Sequence, residues 1–538
     1  MKKRLIGVAV IAILSLFFSS HSYALVKNKV PKAPVAICHN GRFIAQKDGD
    51  ILKWLGIPYA KPPVGALRWK APILADNNKT TYAPQGYGKM PLQAWQPKEN
   101  TSEDCLKLNI YTGSSNAQNK PVIVFLQPSA FAYGASSLPY CDGSKLVSIH
   151  PEIIFVCIET RLSIMGSMVF DDVPGSDNYS TKETSLLWLL DTRCALQWIQ
   201  KNIKAFGGNP NNVTLFGISA GAVATTLLPL LPDTRGLFQK IIVSSGTPAI
   251  IGPSVARADV TKKLMELTGA ESMADLMSLS EEQLSEAIPE LDKLAQFEVL
   301  GNKTTIQEIY DAYKTGETRG IPMLIGTTGN ECAYFRAINH TNESETLKEL
   351  KEKYKRTLER LPNTAKKIPS KYLSSHKKTL LSAYENLFTD TIFTAPALLL
   401  ADNHSANSPT YVYKFNFSSK ADNTGATHIA ELPFVMNLFK QKNLPERIEN
   451  LASTIREMWV NFAKTGIPST DTYIWPQYTT NDRNVMIFGH DGTISVEKAP
   501  SSKEVKLLAP LLPYTYIFAE EYFRFPEETY KKIFIKQN

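Results

Sequence analysis

The stretch from Val213 to Leu228, VTLFGISAGAVATTLL, constrains the fold more than any other part of the chain. A β-branched and apolar run from Val213 to Phe216 meets Gly217-Ile218-Ser219-Ala220-Gly221, and helix-forming residues follow from Ala222. The predicted order is strand, tight turn, helix. A nucleophile needs its Oγ clear of the backbone and beside a helix N-terminus, and bulkier residues in place of the glycines would collide with the strand and the helix. Ser219 is therefore the candidate nucleophile. The 538 residues include 29 glycines, so chance would place glycines at both ±2 positions of a serine roughly 0.1 times, and the surroundings must separate a nucleophile from a plain Gly-rich turn.

Met1 to Ala24 has the form of a signal peptide: Lys2, Lys3 and Arg4, an apolar run from Leu5 to Phe18, then Ser22-Tyr23-Ala24 as a small-x-small cleavage site. The apolar run is short for a membrane span, which makes a retained anchor the lesser alternative. No later stretch is long and apolar enough to span, and no cysteine closely follows the cleavage site. The expectation is an exported protein, periplasmic or secreted, with residues 25–538 as one large α/β domain carrying helical insertions. No Gly/Ser/Pro linker, low-complexity tract or internal repeat divides it.

Cleavage would remove three positive charges and no acid, lowering the formal charge from +8 to +5. That excess is small for this length, and the basic residues between Lys348 and Lys378 alternate with acids and leucines at helical spacing, the pattern of a solvated helix face. No nucleic-acid partner is expected. The six cysteines, Cys38, Cys105, Cys141, Cys157, Cys194 and Cys332, match neither metal-site nor CxxC spacing.

Pro121 to Gln127 and Ile153 to Glu159 have the character of buried strands, and Asp191 to Ile203 that of an amphipathic helix leading through Ala205–Pro210 into the nucleophile strand. Strands alternating with helices predict a mostly parallel central sheet flanked by helices. GIPYAKPPVGALRW (Gly56 to Trp69), EDCLKLNIYT (Glu103 to Thr112), ALQWIQKNIKAFGGNPNNVTLFGISAG (Ala195 to Gly221) and MWVNFAKTGIPS (Met458 to Ser469), with Trp475-Pro476, carry a resemblance. Together they resemble the type-B carboxylesterase/cholinesterase family of the α/β-hydrolase fold, over about Val35 to Gly489. The resemblance implies that fold, serine esterase activity on a small-molecule ester, and neither metal nor organic cofactor.

A serine hydroxyl becomes a useful nucleophile when a histidine takes its proton, and a carboxylate must orient that histidine. The chain order in this fold is serine, acid, histidine. Two acids after Ser219 sit where a strand ends beside a Gly/Asn turn, and the better is Glu331 in IGTTGNECAYF, which resembles the family's acid motif. Five histidines follow it. His340, His376, His404 and His490 have bland surroundings, whereas His428, in Gly425-Ala426-Thr427-His428 ahead of Glu431-Leu432-Pro433-Phe434, resembles the family's catalytic histidine. By the same resemblance, Arg68 with Glu103 and Arg161 with Asp191 match two bracing ion pairs.

Several positions depart from the family pattern. Ile218 stands where a glutamate is common, which removes support for cationic choline esters. Trp95 and Phe131 are candidate gorge residues, although Trp95 fits a loop anchor as well as a cation–π face. Met90-Pro91-Leu92-Gln93 occupies the place of the usual cysteine partner of Cys105, and Leu186-Leu187-Trp188 replaces a Gly-Asn-x-Gly turn. Most consequentially, the oxyanion loop has Gln127-Pro128-Ser129-Ala130 where the family has His or Tyr and three small residues, usually glycines. The backbone N–H donors implied by the resemblance are those of Ala220, Ser129 and Ala130, with positive φ at Ser129 or Ala130 the hazard. Two functions compete: an esterase on neutral, short- to medium-chain esters working through an acyl-enzyme, or a weak or silent binding module with a disabled loop.

Overall fold

The central strands are apolar at nearly every position, so the sheet they form requires cover on both faces. A computed structural model of the chain describes residues 33–113, 117–252, 255–292, 305–339, 342–375, 379–418, 424–439, 444–498, 501–524 and 528. The expected signal peptide lies outside the described residues, as do His340 and His376. In chain order the strands are β1 (Val35–Cys38), β2 (Gly41–Ile44), β3 (Gln46–Asp48), β4 (Ile51–Pro58), β5 (Thr81–Tyr82), β6 (Lys107–Gly113), β7 (Lys120–Leu126), β8 (Ile154–Ile158), β9 (Gly208–Ile218), β10 (Lys240–Ser244), β11 (Met323–Thr328), β12 (Thr410–Phe415), β13 (Asn484–Phe488) and β14 (Ile494–Lys498).

β1, β2 and β5 form a small sheet, and the other strands form one large sheet in the order β14-β13-β12-β11-β10-β9-β7-β8-β6-β4-β3. From β13 through β8 neighbouring strands run parallel, and antiparallel pairs complete both edges. Along β7, Val122, Val124 and Leu126 enter one core while Ile123 and Phe125 enter the other. The first core takes Leu196, Trp198 and Ile199 of the helix Leu187–Asn202, and the second takes Ile455, Trp459 and Phe462 of the helix Glu446–Thr465. Each such side chain contributes about 1.5–3 kcal/mol on burial. This is the α/β-hydrolase architecture, a mostly parallel sheet between helical layers.

A third core joins Trp69, Tyr133 and Ile164 to Val260, Leu284 and Ile288, so helices Val255–Thr268 and Glu281–Leu291 pack over the segments that follow β7 and β8. The helix expected from Asp191 begins at Leu187, because Leu187 to Leu190 are all buried and no polar face marks its start. The basic segment forms helices Glu343–Arg360 and Lys367–Ser375. Lys353 departs from a solvated face: it is buried, and its Nζ donates to the carbonyls of Glu521, Tyr522 and Arg524 at 3.2, 3.0 and 2.7 Å, closing the end of the helix Thr515–Phe523.

Both expected ion pairs form and are buried. Arg68 Nε and Nη2 donate to Glu103 at 2.6 and 2.7 Å, and Arg161 Nε and Nη2 donate to Asp191 at 2.9 and 2.6 Å. The six cysteines are buried, and none is in a disulfide. Among the described residues no helix is long and apolar enough to cross a membrane.

Candidate active site

Parallel strands in an open α/β sheet present their carboxyl ends along one edge, where loops meet. Gln127 follows β7, Glu159 follows β8, Ser219 follows β9, Glu331 lies just beyond β11, and His428 lies in the connection after β12. Ser219 has φ 57° and ψ −120°, a turn that carries the chain from β9 directly into the helix Ala220–Leu227. Such a conformation costs a residue with a Cβ about 1–3 kcal/mol and persists because its neighbours over-determine it. The flanking glycines are required by close approach: a Cβ at Gly217 would stand 2.1 Å from the Gly221 carbonyl oxygen, and one at Gly221 would stand 2.0 Å from the Leu126 carbonyl oxygen.

The structure brings Ser219, Glu331 and His428 together. Ser219 Oγ lies 3.0 Å from His428 Nε2, and His428 Nδ1 lies 2.6 Å from Glu331 Oε2. With Nδ1–H donated to the carboxylate, Nε2 is left to accept the serine proton. Glu331 is fully buried, and its other oxygen accepts the Ser245 hydroxyl at 2.6 Å and the Thr328 N–H at 2.7 Å. Burial pushes this carboxyl up, but the His428 imidazole with these two donors outweighs it and holds the group below the usual carboxylate range. The His428 ring packs against Phe393 and Tyr334, with centroids 5.1 and 6.0 Å away. A second buried acid, Glu431, accepts the Tyr413 hydroxyl at 3.3 Å; burial and the nearby Glu331 charge push it up to about 7. Ser245 carries no motif of its own, and Glu431 is marked in the sequence only by its place three residues after His428.

The loop after β7 comes to the same place. A cavity of about 30 Å³ is lined by Gln127, Ser129 and Phe131 from the loop and by Ala220 and Gly221 from the start of the nucleophile helix, with Trp188 on its wall. Positive φ occurs at Ala130 (45°) and Phe131 (62°) but not at Ser129. The Phe131 N–H donates to Ser129 Oγ at 3.2 Å, the Ser163 N–H donates to the Phe131 carbonyl at 2.8 Å, and Phe131 packs edge-on against Trp188 at 5.2 Å. Trp95 stacks on Tyr133 with centroids 5.6 Å apart and 14° between planes, so it anchors the loop segments to each other. Ile218 is fully buried. His404 is fully buried and hydrogen-bonds Thr410, and His490 hydrogen-bonds Ser418. Among the described residues no group of three or more His, Cys, Asp or Glu is arranged to hold a metal.

A hydroxyl, an imidazole and a buried carboxylate in this order can move a proton off the hydroxyl and return it to a leaving group. A family model described as the carboxylesterase family matches residues 40–508. The chain is 33% identical over 495 residues to the para-nitrobenzyl esterase of Bacillus subtilis (strain 168), covering 87% of this chain and 97% of that protein. It is 26% identical to the cocaine esterase of Homo sapiens over 502 residues, 85% and 88% of the respective chains. Among solved structures, a PNB esterase superposes with a TM-score of 0.76 at 31% identity, and a carboxylesterase of Geobacillus stearothermophilus with 0.77 at 27%, each covering 88% of this chain and 99% of the other.

Proposed function

The chain belongs to the carboxylesterase family and is a carboxylic-ester hydrolase, and on that footing we propose that it is exported and cleaves neutral, short- to medium-chain esters through an acyl-enzyme on Ser219. Ser219 Oγ attacks the ester carbonyl while His428 Nε2 takes its proton. Glu331 fixes the imidazole orientation and stabilises the imidazolium, and His428 then protonates the departing alkoxide. Water, deprotonated by the same imidazole, releases the acid and restores the serine. The oxygen that gains charge takes its donors, in this reading, from the N–H groups of Ala220, Ser129 and Ala130; one such donor contributes about 2.7–4 kcal/mol to the barrier reduction. The observation that carries the proposal is the 3.0 Å contact between Ser219 Oγ and His428 Nε2, itself backed by the buried Glu331 at 2.6 Å.

Neutral substrates are favoured because Ile218 puts an apolar side chain where a glutamate would attract a cation, and Trp95 has its face on Tyr133. Export rests on Lys2 to Arg4, the apolar run to Phe18 and the small residues up to Ala24. The binding-module alternative is not favoured, since serine, acid and histidine are retained at hydrogen-bond distance and the relatives are named as esterases. The test is hydrolysis of p-nitrophenyl esters from acetyl to octanoyl by the wild type and by Ser219→Ala. Turnover that peaks at the shorter chains and vanishes in Ser219→Ala is expected; activity surviving in the variant would refute the acyl-enzyme assignment.

A further inference from the structure

The loop that faces Ser219 is tied at both ends to one buried acid that the reaction above does not use. Glu159, which follows β8, is 2% exposed. Its Oε1 accepts the Gln127 side-chain N–H at 3.0 Å, and its Oε2 accepts the Ser136 backbone N–H at 2.6 Å. Gln127 opens the loop, and its own Oε1 accepts the Cys141 thiol at 3.4 Å. One carboxyl thus joins residue 127 to residue 136, across the segment that holds Ser129 and Ala130. Within that span Gly134 exchanges two hydrogen bonds with the Gln93 side chain, at 2.8 and 2.9 Å.

A triple-glycine loop adopts left-handed geometry without steric cost, whereas here Ala130 and Phe131 hold φ of 45° and 62° with side chains that disfavour it. A loop in that state relaxes by rotating its peptides unless its ends are fixed, and rotation would turn the N–H donors away. We propose that Glu159 is the positioning residue of the oxyanion loop, stapling Gln127 to Ser136 so that the strained peptides between them keep their N–H groups on the developing oxyanion. The inference rests on the ester-hydrolysis mechanism proposed above. Burial pushes the Glu159 carboxyl up to about 8, against the donors from Ser136 and Gln127. The staple does not depend on charge: an ionised carboxylate accepts both N–H groups, and a neutral acid accepts from Ser136 while donating to the Gln127 amide oxygen, the amide having turned over. A glutamine at 159 reproduces the second arrangement, and a leucine reproduces neither.

The experiment compares Glu159→Leu, Glu159→Gln, Gln127→Leu and the double leucine variant with wild type. It reads melting temperature, kcat and KM on p-nitrophenyl acetate, and the Ki of a trifluoromethyl ketone, which mimics the tetrahedral oxyanion. In the folded leucine variants kcat should fall roughly 10- to 100-fold while KM stays within about threefold, and the ketone Ki should rise in step. Glu159→Gln should keep kcat within about threefold of wild type, and the double variant should be no worse than the worse single one. A folded Glu159→Leu with unchanged kcat, a Glu159→Gln as impaired as the leucine, or losses that multiply in the double variant would overturn the staple. If Glu159→Leu fails to fold, Gln127→Leu decides from the other side of the bond, and unchanged kcat there overturns it equally. A wild type with no Ser219-dependent turnover would overturn the hydrolysis mechanism and the staple together, whereas an active wild type with indifferent leucine variants overturns the staple alone.

Discussion

Restoring glycine at the two loop positions should change stability in opposite directions. Ala130 sits at φ 45°, and a residue with a Cβ in the left-handed region costs roughly 1–2 kcal/mol. Glycine removes that cost but gives the unfolded chain back about 0.5–1 kcal/mol of backbone freedom. Ala130→Gly should therefore be between neutral and roughly 1.5 kcal/mol stabilising. Ser129 is not at positive φ, so glycine relieves nothing there, and its Oγ accepts the Phe131 N–H at 3.2 Å. Losing that bond costs about 0.5–1.5 kcal/mol, and the glycine entropy adds to it. Ser129→Gly should be destabilising by roughly 1–2.5 kcal/mol.

For a chain of 538 residues each kcal/mol moves the melting temperature by only about 1 °C, so the separation between the two variants is the quantity to measure. Differential scanning fluorimetry should place Ser129→Gly below wild type and Ala130→Gly at or above it. Turnover should follow the same order: Ala130→Gly keeps kcat, and Ser129→Gly loses it, by up to 10²–10³ if a donor turns away. Ser129→Gly melting at or above wild type would refute the account of the loop. A silent wild type strongly rescued by either glycine would revive the binding-module function.

Acylcholines should show kcat/KM no better than uncharged esters of the same acyl chain, because Ile218 is apolar and Trp95 is stacked on Tyr133; a large choline preference would require a cation site at Trp95. Denatured, unreduced protein should titrate six thiols with a disulfide reagent while native protein reacts slowly, since all six are buried and burial pushes Cys38 and Cys194 up to about 12; a denatured count of four would reveal a disulfide. His404 is fully buried, and burial pushes it down to about 4 from 6.5. Folded protein therefore binds fewer protons than unfolded protein between those values, and the stability present above pH 6.5 is lost as pH falls, by roughly 3 kcal/mol from this group on reaching pH 4. Urea unfolding of His404→Gln at pH 7 and 4.5 should show a smaller acid loss than wild type, and an equal loss would contradict the neutral buried histidine.

Ser219, Glu331 and His428 were legible because each sits in a local string whose strand-end context the sequence also supplies. Glu331 even takes one of its donors from Thr328, three residues upstream in the same turn. The groups that act across the fold were not legible. Glu159 closes a buried apolar strand, and nothing nearby announces that it meets Gln127, 32 positions earlier, or Ser136, 23 positions earlier. The sequence displayed the lost glycines at 128–130 and the altered turn at 186–188 as separate departures, without their relation. In the fold they touch: the Trp188 ring lies edge-on to Phe131 at 5.2 Å, and both line the cavity beside Ala220. A glycine at 188 would have left Phe131 without that wall, and an all-glycine loop would have had less need of it. Buried aromatic contacts of this kind add roughly 0.5–1.5 kcal/mol beyond area burial, comparable with the cost of one left-handed residue. The two departures therefore form one packing solution, in which rigidity supplied by Trp188 and Glu159 takes over the role that glycine's freedom has in the family pattern.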